Sequence, residues 1–186
     1  MVLAAACAGL VLLALASVLR RRLGWPSALA TTGLVWWLVV IALVTLVPLS
    51  GIDLAMPEGS RLDECSLDYG GPAPDGFWIL AGTQRTLNTA LFVPAGVLMV
   101  LAFARSRTWW SYVLPGLVAL SAYSVLIELV QLEVARIGRA CDITDMADNI
   151  AGALVGTLAG LLLAVLLRPW LRRRPDRRPD PADGPH

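Results

Sequence analysis

Five apolar stretches, each near the length a helix needs to cross a bilayer, constrain this chain more than anything else in it. They cover residues 2–19, 28–47, 87–104, 112–132 and 145–167. With 57% hydrophobic and only 16% charged residues, the chain belongs to the integral membrane class rather than among soluble domains. The expected fold is all-α, a polytopic bundle of about five transmembrane helices, multi-pass in the cell membrane.

The first stretch has no basic residues before it, and Arg20, Arg21 and Arg22 follow it, so it reads as a span rather than a cleaved signal peptide. Trp25 and Pro26 are expected to form the turn into the second span. Residues 50–84 form a long acidic connection, either a functional lid or a poorly ordered loop. Residues 1–27 are thus a first span with a basic turn, 28–167 the main membrane domain, and 168–186 a disordered basic tail.

Arginine sets the expected orientation. Eleven Arg fall in segments assigned to the cytoplasm (20, 21, 22, 105, 107, 168, 172, 173, 174, 177 and 178). Four (61, 85, 136 and 139) fall outside. That asymmetry predicts an outer N-terminus and a cytoplasmic C-terminus. Trp25, Trp109, Trp110 and Trp170 then lie at the cytoplasmic boundary, while Trp36 and Trp37 fall mid-span, facing lipid or the core.

Polar residues inside spans are costly and mark functional sites. Glu128 lies roughly 6 Å below the outer end of its span at ~1.5 Å per residue, with Asn149 at similar depth and Asn88 near the start of the third span. Ser121, Ser124, Glu128 and Gln131 share one helical face. Asp145, Asn149, Gly152, Gly156 and Gly160 share another, whose glycines let a neighbouring backbone approach, with Glu128 as the expected neighbour. Asp145 and Asp148 could equally cap the last helix, and Asn88 and Asn149 could be interhelical hydrogen-bond glue. Glu128 either pairs with Arg136 or Arg139 or is carried in its neutral form.

Chemistry is bounded by what is missing. The sole histidine is His186, so a His-based triad or a histidine metal site in the membrane is excluded. No cofactor is expected; the one metal option is Mg²⁺ or Ca²⁺ on Glu128, Asp142 and Asp145. Nothing points to nucleic acid. Cys65 and Cys141 both fall in outer loops, where a disulfide would pin the acidic loop over the polar cluster.

In order, Asn88, Phe92, Pro94 and Gly96, then Glu128-x-x-Gln131, Arg139-x-x-Asp142-x-x-Asp145 and Asn149-x-x-Gly152-x-x-x-Gly156 resemble the motif series of the VanZ-like family. The resemblance covers roughly residues 40–167. It implies an envelope membrane protein of the kind linked to teicoplanin resistance, with Asn88, Pro94, Gly96, Glu128, Gln131, Arg139, Asp142, Asp145, Asn149 and Gly152 as motif positions. Three functions are compatible with these residues. One is a non-catalytic protein binding a lipid-linked envelope precursor or a lipoglycopeptide through Asn88, Glu128, Gln131, Arg139, Asp142, Asp145 and Asn149. Another is an enzyme on an envelope lipid with Glu128 as general acid or base, helped by Asp142 and Asp145. A third is a proton-coupled transporter relaying through Glu128.

Overall fold

The computed structural model describes residues 2–46, 65, 67, 69, 78–133 and 141–171, with side chains within the helices at 7, 9–46, 85–132 and 143–167. The helices are α1 (Val2–Leu23), α2 (Trp25–Leu46), α3 (Trp78–Phe103), α4 (Val113–Glu133) and α5 (Ile143–Leu171), with a single 3-10 turn at Trp109–Tyr112 before α4. Four segments are long and apolar enough to cross a membrane: Trp25–Leu46, Arg85–Phe103, Trp109–Leu132 and Ile143–Leu167. With α1 as a fifth helix, the all-α bundle read from the sequence is the fold. The tail and most of the 50–84 connection lie outside the described residues.

The two ends of the bundle differ in chemistry. At one, α2 and α4 finish while α3 and α5 begin, beside a Cys65–Cys141 disulfide; this is the cystine end. At the other, α1 and α3 finish while α2 and α4 begin among Arg20, Arg21, Arg22, Arg105 and Arg107; this is the arginine end.

The first turn is placed differently from the sequence expectation. It is made by Gly24 alone, at φ 75°, with its N–H donating to Arg20 O at 2.9 Å. Trp25 and Pro26 instead open α2, because a proline in the first helical turn gives up an N–H that has no helical partner there. A Cβ on Gly24 would also displace the Arg105 guanidinium, the far end of a flexible side chain.

α3 and α5 run in the same direction and pack backbone to backbone. A Cβ on Gly152 would overlap the Thr89 carbonyl, and one on Gly156 the Val93 carbonyl. On Gly160 it would come within 3.0 Å of Val97 Cα, and on Gly96 within 2.5 Å of Ala153 O. The three α5 glycines thus meet α3 residues four apart, the close approach that small-xxx-small stripes permit. This corrects the expectation that Glu128 of α4 borders the glycines; their partner is α3. Pro94 stands inside α3 without ending it, as membrane helices tolerate.

α2 lies antiparallel to α3, with Gly33 against Leu98 and the Trp37 indole N–H donating to Leu91 O at 2.7 Å. Tyr123 of α4 donates to Leu38 O at 2.7 Å. Trp37 is therefore a core residue, whereas Trp36 sits against Gly9 between α1 and α2. Phe92, Ile41, Ile127 and Val100 fill the centre, and Leu114, Leu126, Leu158, Leu162 and Leu166 point outward as a lipid-facing surface.

Replacing Gly156 by Ala forces two backbones apart, an overpacking cost of about 1–3 kcal/mol. Gly116→Ala meets only the flexible Met99 side chain and costs less. Thermal unfolding in detergent should therefore rank wild type above Gly116→Ala and Gly116→Ala above Gly156→Ala; equal midpoints for the two variants would contradict the packing described.

Candidate functional site

The polar residues predicted on one face of α4 do face inward at the cystine end: Ser124 is 0% exposed, Glu128 2% and Gln131 3%. Ser121, nearer the middle, is half-buried and bonds back to Leu117 O at 2.9 Å. With no water in the hydrocarbon, each such group has to find a protein partner. Ser124 Oγ accepts from Asn149 Nδ2 of α5 at 3.1 Å. Gln131 Nε2 donates to Thr45 O, at the end of α2, at 3.0 Å. Glu128 Oε2 accepts from the Asp142 backbone N–H at 3.3 Å.

Asp142 is the cap of α5. Its Oδ1 accepts from Thr144 N–H at 2.8 Å, two residues on, the bond that an N-cap carboxylate makes. The expectation that Asp145 or Asp148 caps the helix is thereby corrected, because α5 begins at Ile143 rather than at Asp145. Asp145 lies in the first turn and is half-buried. Asp148 is too deep to cap and is held by Arg85: Nε to Oδ2 at 2.9 Å and Nη2 to Oδ1 at 3.2 Å. This forked geometry matches guanidinium to carboxylate on both oxygens.

Arg85 is the residue that the sequence reading missed as part of the cluster. Its signal was the spacing of four shared by two helices. Arg85, Thr89, Val93 and Val97 on α3 lie opposite Asp148, Gly152, Gly156 and Gly160 on α5, every pair 63 residues apart. The ion pair is thus the first rung of the glycine ladder. Arg85 Nη2 also donates to the Tyr69 hydroxyl at 3.1 Å, and its guanidinium lies 5.4 Å from the Tyr69 ring centre.

Two contacts therefore hold Cys65 and Tyr69 at this end, Tyr69 on Arg85 and the Cys65–Cys141 disulfide, whose Cα atoms are 4.7 Å apart. The predicted cysteine pairing is the one present, and Cys7 is the free cysteine among the described residues.

Asn88, one turn below Arg85 on α3, is half-buried and makes no hydrogen bond among the described residues. Its amide is available to a ligand, unlike those of Asn149 and Gln131. Arg136 and Arg139, the expected partners of Glu128, lie outside the described residues. Among the described residues no three His, Cys, Asp or Glu side chains are grouped to hold a metal ion, and Asp142 turns its Oδ1 to its own helix.

The arrangement is a compact polar layer in one end of the bundle, built from α2, α3, α4 and α5, with Cys65 and Tyr69 attached beside it. A family model described as VanZ/LLP1 matches residues 9–167. No curated protein and no solved structure matches the chain.

Linking cysteines 76 residues apart in sequence, the disulfide contributes roughly 4 kcal/mol by chain entropy. Peptide mapping without reductant should recover Cys65 and Cys141 in one cross-linked species and Cys7 alkylated. Cys141→Ser should lower the unfolding midpoint; alkylation of both Cys65 and Cys141 in untreated membranes would refute the bond.

Proposed function

Because the chain belongs to the VanZ/LLP1 family, we propose that it is a multi-pass protein of the bacterial cell membrane that binds the polar head of a lipid-linked envelope precursor or lipoglycopeptide at its cystine end. In this reading the cystine end faces outward, the arginine end faces the cytoplasm, and binding contributes to resistance against teicoplanin-type glycopeptides. The carrying observation is the concentration at one end of the bundle of the buried charged and amide side chains, Glu128, Gln131, Asp148 and Asn149, beside Ser124, whereas the buried polar groups away from that end, Ser27, Thr32 and Thr157, are hydroxyls.

A polar layer at that depth meets a ligand whose tail lies among the acyl chains and whose head lies at the surface. The half-buried Asn88 amide supplies a hydrogen-bonding group to such a head, and the outward Leu and Val surface accommodates its tail. Arg139, Asp142 and Asp145 complete the proposed contact set. Binding is favoured over catalysis by the engagement of Glu128 Oε2 with the Asp142 amide and of Asp142 Oδ1 with its helix, which suits a fixed scaffold better than a moving proton. A proton path is disfavoured because the acidic residues among the described ones all lie at the cystine end, leaving no relay toward the other.

The test compares a susceptible bacterial host carrying wild type, Asn88→Leu or Glu128→Gln, each at equal membrane abundance. Wild type should raise the tolerated teicoplanin concentration and bind a fluorescent lipoglycopeptide in detergent. Asn88→Leu should weaken binding about tenfold, or about 1.4 kcal/mol, with an unchanged unfolding midpoint. Identical behaviour of the empty host and the wild-type host, with no binding in vitro, would sink the proposal.

A further inference from the structure

The arginine end carries a second constellation that the cystine-end reading leaves unused. Among the described residues it holds Arg20, Arg21, Arg22, Arg105 and Arg107 and no acidic residue. Two of these arginines are positioned. Arg20 donates Nε to Ser17 O at 3.1 Å and lies 4.8 Å from the centre of the Trp25 ring, which directs its remaining donors away from the helix. Arg105 lies against Gly24, in the space left by the absent Cβ, and makes no hydrogen bond or ion pair among the described residues.

One helical turn along α2 from that contact is an orphan. Ser27 is 2% exposed and its hydroxyl is the one buried side-chain oxygen or nitrogen without a partner among the described residues. Its position follows from the α2–α3 register. Trp37 meets Leu91, Gly33 meets Leu98 and Gly24 meets Arg105, so Ser27 lies level with the last turn of α3, one helical turn below Gly24. Most Ser and Thr hydroxyls described in the helices bond to the carbonyl four residues earlier, as Thr31, Thr32, Thr45, Ser121 and Thr157 do. Ser27 does not: it stands in the first turn of α2, where no carbonyl of its own helix lies four residues earlier.

We propose that the surface formed by the Gly24 turn and Arg105 is a phosphate-binding site, taking the phosphate of an anionic phospholipid headgroup or a free phosphate ion. Arg105 presents a planar fork suited to two phosphate oxygens, and Arg20 supplies a second guanidinium already held by Trp25. Ser27 donates its hydroxyl from below. The first turn of α2 adds its unbonded N–H groups and the positive end of its dipole. Trp25 and Trp110, both exposed, are suited to the headgroup level beside it. The site is independent of the function proposed for the cystine end.

The experiment uses the full-length protein in detergent, with bound lipid counted by native mass spectrometry. Phosphatidylglycerol is titrated against phosphatidylcholine, and inorganic phosphate is tested alone and as competitor. Wild type should retain phosphatidylglycerol in preference to phosphatidylcholine. Arg105→Gln should weaken that retention about tenfold, Arg105→Lys should recover part of it, and Arg107→Gln should match wild type. Phosphate that binds alone and displaces the lipid, in an Arg105-dependent way, identifies the free ion as occupant. Equal losses in Arg105→Gln and Arg107→Gln would show diffuse attraction of anions to a basic face and overturn the site. So would a protein that prefers neither phosphatidylglycerol nor phosphate. Arg105→Lys keeps the test valid should Arg105→Gln fail to fold.

Discussion

The contact on which this structure depends is the backbone-to-backbone approach of α3 and α5. Inside a bilayer the hydrophobic effect offers helices no reason to prefer each other to lipid, so association rests on close packing and hydrogen bonds. Gly152, Gly156 and Gly160 remove the side chains that would hold α5 away from α3, and Gly96 does the same from the other side. The glycines also set the register. Once Gly152 seats on Thr89, Asp148 can meet only Arg85, one turn nearer the cystine end. An ion pair placed there by packing requires no search by two long side chains, which reduces the entropy cost that weakens most surface pairs.

α2 is fastened to α3 and α4 by polar anchors whose acceptors are main-chain carbonyls. Trp37 reaches across to Leu91 O, Tyr123 to Leu38 O and Gln131 to Thr45 O. Each anchor joins α2 to α3 or α4 without introducing a charge; two meet α2 at the neighbouring residues Trp37 and Leu38 and the third at Thr45. Polar satisfaction and tertiary fixation are thus one task in this fold. The hydroxyls that bond within their own helix satisfy the same demand without joining anything.

How much of this was legible beforehand varied with the physical origin of each feature. Apolar length reveals a membrane helix directly, so the five helices were readable. A period of 3.6 within one helix placed Ser124, Glu128 and Gln131 on a common buried face. The Cys65–Cys141 pairing followed from two cysteines sharing one side. Relations between helices were harder, because one helix's periodicity carries no information on the register of its neighbour. Arg85 was therefore counted as a loop charge, and Asp148 as a cap. The α5 cap at Asp142 was missed because a helix boundary depends on which of several nearby aspartates turns back to bond its own backbone. Gly24 was overlooked because a proline following it looked like the turn itself. The contact chemistry of Arg136 and Arg139 lies outside the described residues.

The cystine has a topological meaning beyond its contribution to stability. Its covalent ring runs from Cys65 through α3, the 3-10 turn and α4 to Cys141, enclosing two whole transmembrane helices. Arg85, Ser124, Glu128 and Gln131 belong to the ring; Thr45, Asp148 and Asn149 stand on either side of it. During synthesis the bond can close only after α4 has returned the chain to the side where Cys65 waits. Oxidation therefore timestamps a correctly threaded helical hairpin, and a chain with α4 inverted or skipped carries two thiols on opposite faces of the membrane. The bond thus records in covalent form that the two sides of the polar layer have been brought together.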